Sequence, residues 1–169
     1  MIELTLITDT DNYRKALQDI YEESVPHFME VEGRKPLSPF EDIYETAPEI
    51  PREFPAKCFA FVCGGEAAGY CWVMEVEPDD LYYILEFIVG ERFRKQKIGT
   101  NVLKLLDKMY NKKFGYSELL VSAKNYMGLN FWVNSGYTQI TAVFPPEAQG
   151  TESTELNLRK AIKQISDNT

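Results

Sequence analysis

Glu86 lies inside the apolar run YYILEFIV, Tyr82 to Val89. A carboxylate in such a run is costly to bury without a partner or a purpose. Burial is expected to raise its pKa and make it a better proton acceptor, directly or through a water. Strand alternation predicts that it shares a face with Tyr82, Ile84 and Ile88. The structural alternative is a salt-bridged or edge-exposed glutamate. A second cluster follows at once. RFRKQK, residues 92–97, puts Arg92, Arg94, Lys95 and Lys97 directly before a helical pattern. Helix N-termini carry unpaired N–H groups and partial positive charge, so cations there repel the dipole unless an anion offsets them. Arg94, Lys95, Gln96, Lys97, Ile98, Gly99 and Thr100 therefore describe a seat for a phosphate or pyrophosphate. The turn matches neither GxxxxGK[ST] nor GxGxxG.

The charge distribution singles out the same place. Between Glu91 and Gly115 eight basic residues stand against two acidic ones, a net +6 in a chain of net −8, so the remainder carries −14. Lys104, Lys108, Lys112 and Lys113 read as a solvated helix face. The acidic balance argues against a nucleic-acid partner. No apolar stretch approaches the ~20 residues that span a bilayer, and the N-terminus lacks a secretory signature, so a cytoplasmic protein is expected. Cys58, Cys63 and Cys71 show no CxxC spacing and sit in apolar surroundings, which predicts reduced core thiols and no metal site. His27, the one histidine, reads as a solvated loop residue.

The elements that must position these residues are legible in outline. At 169 residues, with 44% hydrophobic content, the chain is expected to form one domain over 1–169. Ile2–Ile7 alternates as a strand, and Asp9 or Asp11 would cap a helix carrying Tyr13, Leu17, Ile20 and Tyr21. Six of nine prolines fall between Pro26 and Pro55, which predicts broken structure with a helical turn or two after Ser38. CFAFVC and AAGYCWVMEV, joined through Gly64-Gly65, read as a hairpin, and LYYILEFIV as a third strand. A helix follows with Ile98, Val102, Leu105, Leu106 and Met109 as its stripe. ELLVSA, a helix opened by Asn125, YTQITAVF and TELNLRK complete an α+β pattern.

LEFIVGERFRKQKIGTNVLKLL resembles the acetyl-CoA motif of the GNAT superfamily of N-acetyltransferases. In it an apolar strand ends in a valine, and Arg/Gln-x-x-Gly-x-Gly/Ala opens a helix. Arg94 takes the Arg/Gln position, and Gly99-Thr100 closes the turn. NYMGLNFWVNSGY resembles the family's second motif. The resemblance covers residues 1 to about 160. It implies a mixed, mostly antiparallel central sheet of six to seven strands with flanking helices. It also implies that the backbone of Phe87, Ile88 and Val89 holds pantetheine, that residues 94–100 take the pyrophosphate and that Asn125 bonds the pantetheine arm. Two departures stand out. Lys97 occupies the place of the first loop glycine, where its side chain either narrows the approach or binds phosphate itself. Trp132 occupies the place of a tyrosine thought to protonate the leaving thiolate, and tryptophan has no useful acidic proton. Tyr126 and Tyr137 are the candidate substitutes.

The resemblance implies an acetyl-CoA-dependent N-acetyltransferase, with acetyl-CoA as acyl-donor cosubstrate and Glu86 as the catalytic group. Residues 26–56 would form the acceptor side. Residues 26–55 hold seven acidic and three basic side chains, with Phe28, Phe40 and Tyr44. An acidic, aromatic wall suits a polyamine, an aminoglycoside-like compound, or a lysine or N-terminal amine of a peptide. A solvated acidic loop is the alternative. Two other functions remain open at this stage: a non-catalytic acyl-CoA-binding sensor or partner module, and an oligomerisation domain. A homodimer is compatible with either.

Overall fold

The computed structural model describes residues 1–6, 12–149 and 152–162. Asp9 and Asp11, the expected helix caps, lie outside the described residues. Seven strands form one sheet in the order β1-β2-β3-β4-β5-β7-β6. β1 (Ile2–Leu6), β2 (Ala56–Cys63), β3 (Glu66–Val76) and β4 (Leu81–Val89) run antiparallel, with Gly64 and Gly65 at positive φ in the β2–β3 turn. β4 and β5 (Tyr116–Ser122) are parallel, because α3 (Ile98–Tyr110) crosses between them. β7 (Glu155–Ala161) pairs with both β5 and the edge strand β6 (Gln139–Phe144).

Each sheet face carries its own core. On one, α3 and α4 (Tyr126–Asn134) cover Phe61, Cys71, Val73, Tyr82, Ile84 and Leu119. On the other, α1 (Arg14–Val31) and α2 (Ile43–Thr46) cover Tyr70, Trp72, Met74 and Ile88. The α3 stripe differs from the expected one: Leu103 and Tyr110 are buried, whereas Met109 is 47% exposed. Lys113 is exposed as expected, but it is also ion-paired, bonding Glu75 and Glu77, each at 2.7 Å.

Proline density does not break the chain where expected. α1 runs through Pro26 to Val31 and places His27 and Phe28 on a helix. The carbonyl that Pro26 leaves without a donor belongs to exposed Glu22, where water can serve it. Beyond α1, the segment from Arg34 to Ser38 is pinned across β3. Tyr70 Oη donates to Leu37 O at 2.8 Å, and Trp72 Nε1 donates to Ser38 O at 2.9 Å.

Candidate active site

The central feature is a parting of two strands. β4 pairs with β5 only from Leu81↔Tyr116 to Ile84↔Leu119. Beyond this the strands diverge, because β4 bulges: Trp72 faces Glu86 while Val73 faces Ile84, so Leu85 is an extra residue. Beyond Ile84, therefore, β4 and β5 present ladder groups to the gap rather than to each other, as a third strand would require. A cleft of about 500 Å³ occupies the gap, lined from β4 by Leu85, Glu86, Phe87, Ile88 and Val89 and from β5 by Leu119, Leu120 and Val121.

The bulge also corrects the expected face. Tyr82 and Ile84 pack under α3, but Glu86 turns with Ile88 toward the α1 side. Glu86 is 5% exposed. It is not lone: Arg34 Nη1 donates to Oε2 at 2.9 Å and Leu37 N–H donates to the same oxygen at 3.0 Å. Both hydrogen bonds from the described residues go to Oε2, which leaves Oε1 for the cleft.

Along β4 the backbone edges alternate. An ideal Cβ on Gly69 would lie 2.1 Å from the carbonyl oxygen of Ile88, so that carbonyl faces β3 and not the cleft. Phe87 and Val89 accordingly turn their groups the other way. Arg94 Nε donates to Val89 O at 3.0 Å, which sews the basic turn to the end of β4.

The turn itself is open to an anion. α3 begins without a side-chain cap, and its N-cap, Lys97, holds φ at +62°. The first amides of the helix have no acceptor within it. Arg94, Lys95, Lys97, Ile98, Gly99 and Thr100 line the cleft. Gln96 does not, because its amide folds back to donate to Arg92 O at 2.7 Å. A Cβ on Gly99 would stand 3.1 Å from Phe131 Cζ, so glycine lets α3 and α4 approach. These features fit a pyrophosphate, with an extended arm following the parted strands.

α4 supplies the remaining wall. Asn125 caps it by accepting Gly128 N–H at 2.9 Å, while its Nδ2 donates to Glu32 at 2.7 Å. Trp132 lines the cleft, 5.4 Å edge-on from Phe87. Neither substitute tyrosine belongs to the lining: Tyr126 is 80% exposed, and Tyr137 is fully buried with its hydroxyl 2.7 Å from Ser117 Oγ. Burial pushes the Tyr137 phenol well above its ordinary value.

Sequence reasoning missed Glu32, Arg34 and His27, all of which line the cleft. Glu32 accepts Ser122 N–H at 3.1 Å as well as the Asn125 amide. Burial raises its carboxyl above the ordinary value, and those two bonds together with Arg34 pull it back in part. Glu155 is buried close enough to Arg34 to act on it, and burial raises its carboxyl too. The broad acidic wall is not assembled: Glu30, Glu41, Asp42, Glu45, Glu49 and Glu53 are exposed and outside the lining, and Phe40 stacks under Arg14.

A seven-stranded sheet parted between its two parallel strands, with a basic, uncapped turn at the mouth of the gap, defines an acyltransferase-type α+β fold. The sequence model of the Acetyltransferase (GNAT) family matches residues 17–137, and the chain belongs to that family. Over 110 residues it is 28% identical to N-alpha-acetyltransferase 30 of Dictyostelium discoideum, a match covering 63% of this chain and 59% of that relative's length. In fold it resembles the ribosomal-protein-S18-alanine N-acetyltransferase from Escherichia coli, with a TM-score of 0.68 at 14% identity over 100% of this chain and 99% of the other. It resembles aminoglycoside 6'-acetyltransferase type Ii equally, with a TM-score of 0.68 at 17% identity over 96% of this chain and 98% of that one. The fold alone thus does not choose between peptide and small-molecule acceptors.

Proposed function

We propose that this protein transfers the acetyl group of acetyl-CoA to a primary amine by direct attack, and that the amine is the α-amine of a peptide. The observation that carries the reading is the gap between β4 and β5, with an uncapped basic turn at one end and buried Glu86 at the other. The Phe87 and Val89 backbone would hold the pantetheine arm, and the amides of residues 95–100 its diphosphate. Lys95 and Lys97 would offset the phosphate charge. Glu86 Oε1 would accept a hydrogen bond from the acceptor ammonium. Trp132 would pack beside the thioester and leave the departing sulfur without a side-chain acid.

A peptide α-amine fits this end of the cleft better than a polycation. It brings one positive charge and a carbonyl close behind it. Glu86 meets the charge, and the Arg34 guanidinium, whose hydrogen bonds to the described residues both leave from Nη1, has further N–H groups for the carbonyl. A longer polycation would also need the six other carboxylates of residues 26–55, which lie outside the cleft. Likeness to an N-alpha-acetyltransferase supports the same acceptor.

The experiment has two arms. CoA and acetyl-CoA at about 100 times Kd should stabilise the native state by about 2.7 kcal/mol and raise Tm by roughly 5–10 °C, measured by thermal shift. Thiol release from acetyl-CoA should then appear with peptides bearing free N-termini and disappear when those are blocked. Binding without turnover on any amine would replace the enzyme with an acyl-CoA sensor. No binding would remove both.

A further inference from the structure

The cleft contains two carboxylates whose surroundings differ in kind, and the difference divides the work between them. Glu86 is already compensated by the Arg34 guanidinium and the Leu37 amide. Glu32 stands on the β5 side of the gap, and its hydrogen bonds from the described residues come from neutral donors, Ser122 N–H on Oε2 and Asn125 Nδ2 on Oε1, with the Arg34 guanidinium acting on it without a direct bond. Each of its oxygens keeps a lone pair. Taking up a proton costs Glu86 its direct arginine ion pair, whereas Glu32 gives up weaker, neutral bonds and an attraction to Arg34 that no direct bond carries. We propose that Glu32 accepts the proton of the acceptor ammonium, while Glu86 and Arg34 orient the amine. The assignment rests on the acyl-transfer reading above.

The ammonium gives one proton to the Glu32 carboxylate. The freed amine nitrogen bonds to the thioester carbonyl carbon, and the carbon–sulfur bond breaks with its electron pair on sulfur. The second proton lost by nitrogen goes to that sulfur, yielding the amide, CoA thiol and protonated Glu32, which water then deprotonates. Among the described residues, the charged and titratable groups at this end are Arg34 on the same segment, Glu86 on β4, Glu155 on β7, His27 and Tyr21 on α1, and Tyr70 on β3. β5 and α4 contribute neutral Ser122 and Asn125. The burial-raised Glu32 carboxyl agrees with the role.

The test compares Glu32→Gln with Glu86→Gln in the full chain. The readout is thiol release from acetyl-CoA with free-N-terminus peptides and with spermidine, across pH. Glu32→Gln should lower kcat about 100-fold or more, in the range of a lost general base. It should flatten the acid limb of the pH profile, leave the amine KM and CoA affinity within about twofold, and regain activity at high pH, where the amine is already neutral. Glu86→Gln should chiefly raise the amine KM and keep the acid limb. The reverse pattern would overturn the assignment and leave the acyl-transfer reading standing. A carbon-13 titration of the glutamate carboxyls, with Glu32 identified by its loss in Glu32→Gln, gives a readout independent of any acceptor. A Glu32 midpoint at or below the ordinary glutamate value would overturn the proposal even if no amine in the panel were acetylated. Failure of the native protein to turn over any amine while it binds CoA would count against the acyl-transfer reading itself.

Discussion

Lys97 holds φ at +62° and Lys95 at +59°, a left-handed conformation that costs a non-glycine residue on the order of 1–3 kcal/mol. That geometry explains physically why a glycine suits position 97, and what a lysine must return to justify its place. Replacing Lys97 by Gly releases the strain but gives the unfolded chain more freedom, at a cost of about 0.4–1 kcal/mol. Stability by denaturant titration should therefore hold or rise, by up to about 2 kcal/mol. CoA affinity should fall several-fold in Lys97→Gly and equally in Lys97→Met, as calorimetry would show, because both lose one phosphate-facing charge. Unchanged affinity in Lys97→Met would remove Lys97 from the phosphate site and leave it to the backbone amides and Lys95. At this scale the sequence was half legible. Glu86 announced itself as a lone carboxylate in an apolar run, but its partner Arg34 lies 52 residues away, beyond any local pattern. Glu32 gave no signal, since one acid among seven in a proline-rich stretch looks like the rest.

The elements were largely readable, because strand alternation, the Gly64-Gly65 turn and the Asn125 cap are local devices. The bulge at Leu85 was not, and it changes the most: one inserted residue turns Glu86 away from Tyr82 and Ile84 and ends the β4–β5 ladder. The full length of α1 is hidden in the sequence by Pro26, which removes a hydrogen bond, although a helix packed on a sheet can tolerate one lost at its solvent side. Gly99 shows how two elements set a third. Its missing Cβ lets Phe131 of α4 approach to where a Cβ would be 3.1 Å away, with Phe87 of β4 at 3.5 Å. Gly99→Val should separate α3 from α4 at the mouth of the cleft and weaken CoA binding at least about tenfold, the fold itself surviving since overpacking costs roughly 1–3 kcal/mol. Calorimetric titration with CoA, alongside circular dichroism to establish folding, would check both parts. Wild-type affinity would mean that the two helices part without disturbing the turn.

Over the whole molecule, the net −8 should repel an anion such as CoA, yet the +6 stretch from Glu91 to Gly115 begins at the cleft, which its Arg94, Lys95 and Lys97 line. Which field prevails depends on distance. Salt screens exposed charges over about 8–10 Å near physiological ionic strength, so the remote acidic surface fades while cations beside the phosphates act at close range. Part of that +6 is already spent within the protein, since Lys113 is bound to Glu75 and Glu77. Arg92 is paired with Glu66 and Arg94 with Glu91, so the local charge lining the cleft is chiefly that of Lys95 and Lys97. Two opposite salt responses can be separated on this basis. If the lysines carry the phosphates, raising salt from about 0.05 to 0.3 M should weaken CoA binding roughly three- to tenfold, because screening removes attraction between exposed charges. If the global repulsion dominates, the same change should strengthen binding, and if the buried amides alone hold the diphosphate it should leave binding nearly unaltered. Titrations of CoA at the two salt concentrations, repeated with Lys97→Met, decide among the three. The expected result is weakening in the native chain and a shallower salt dependence in the variant.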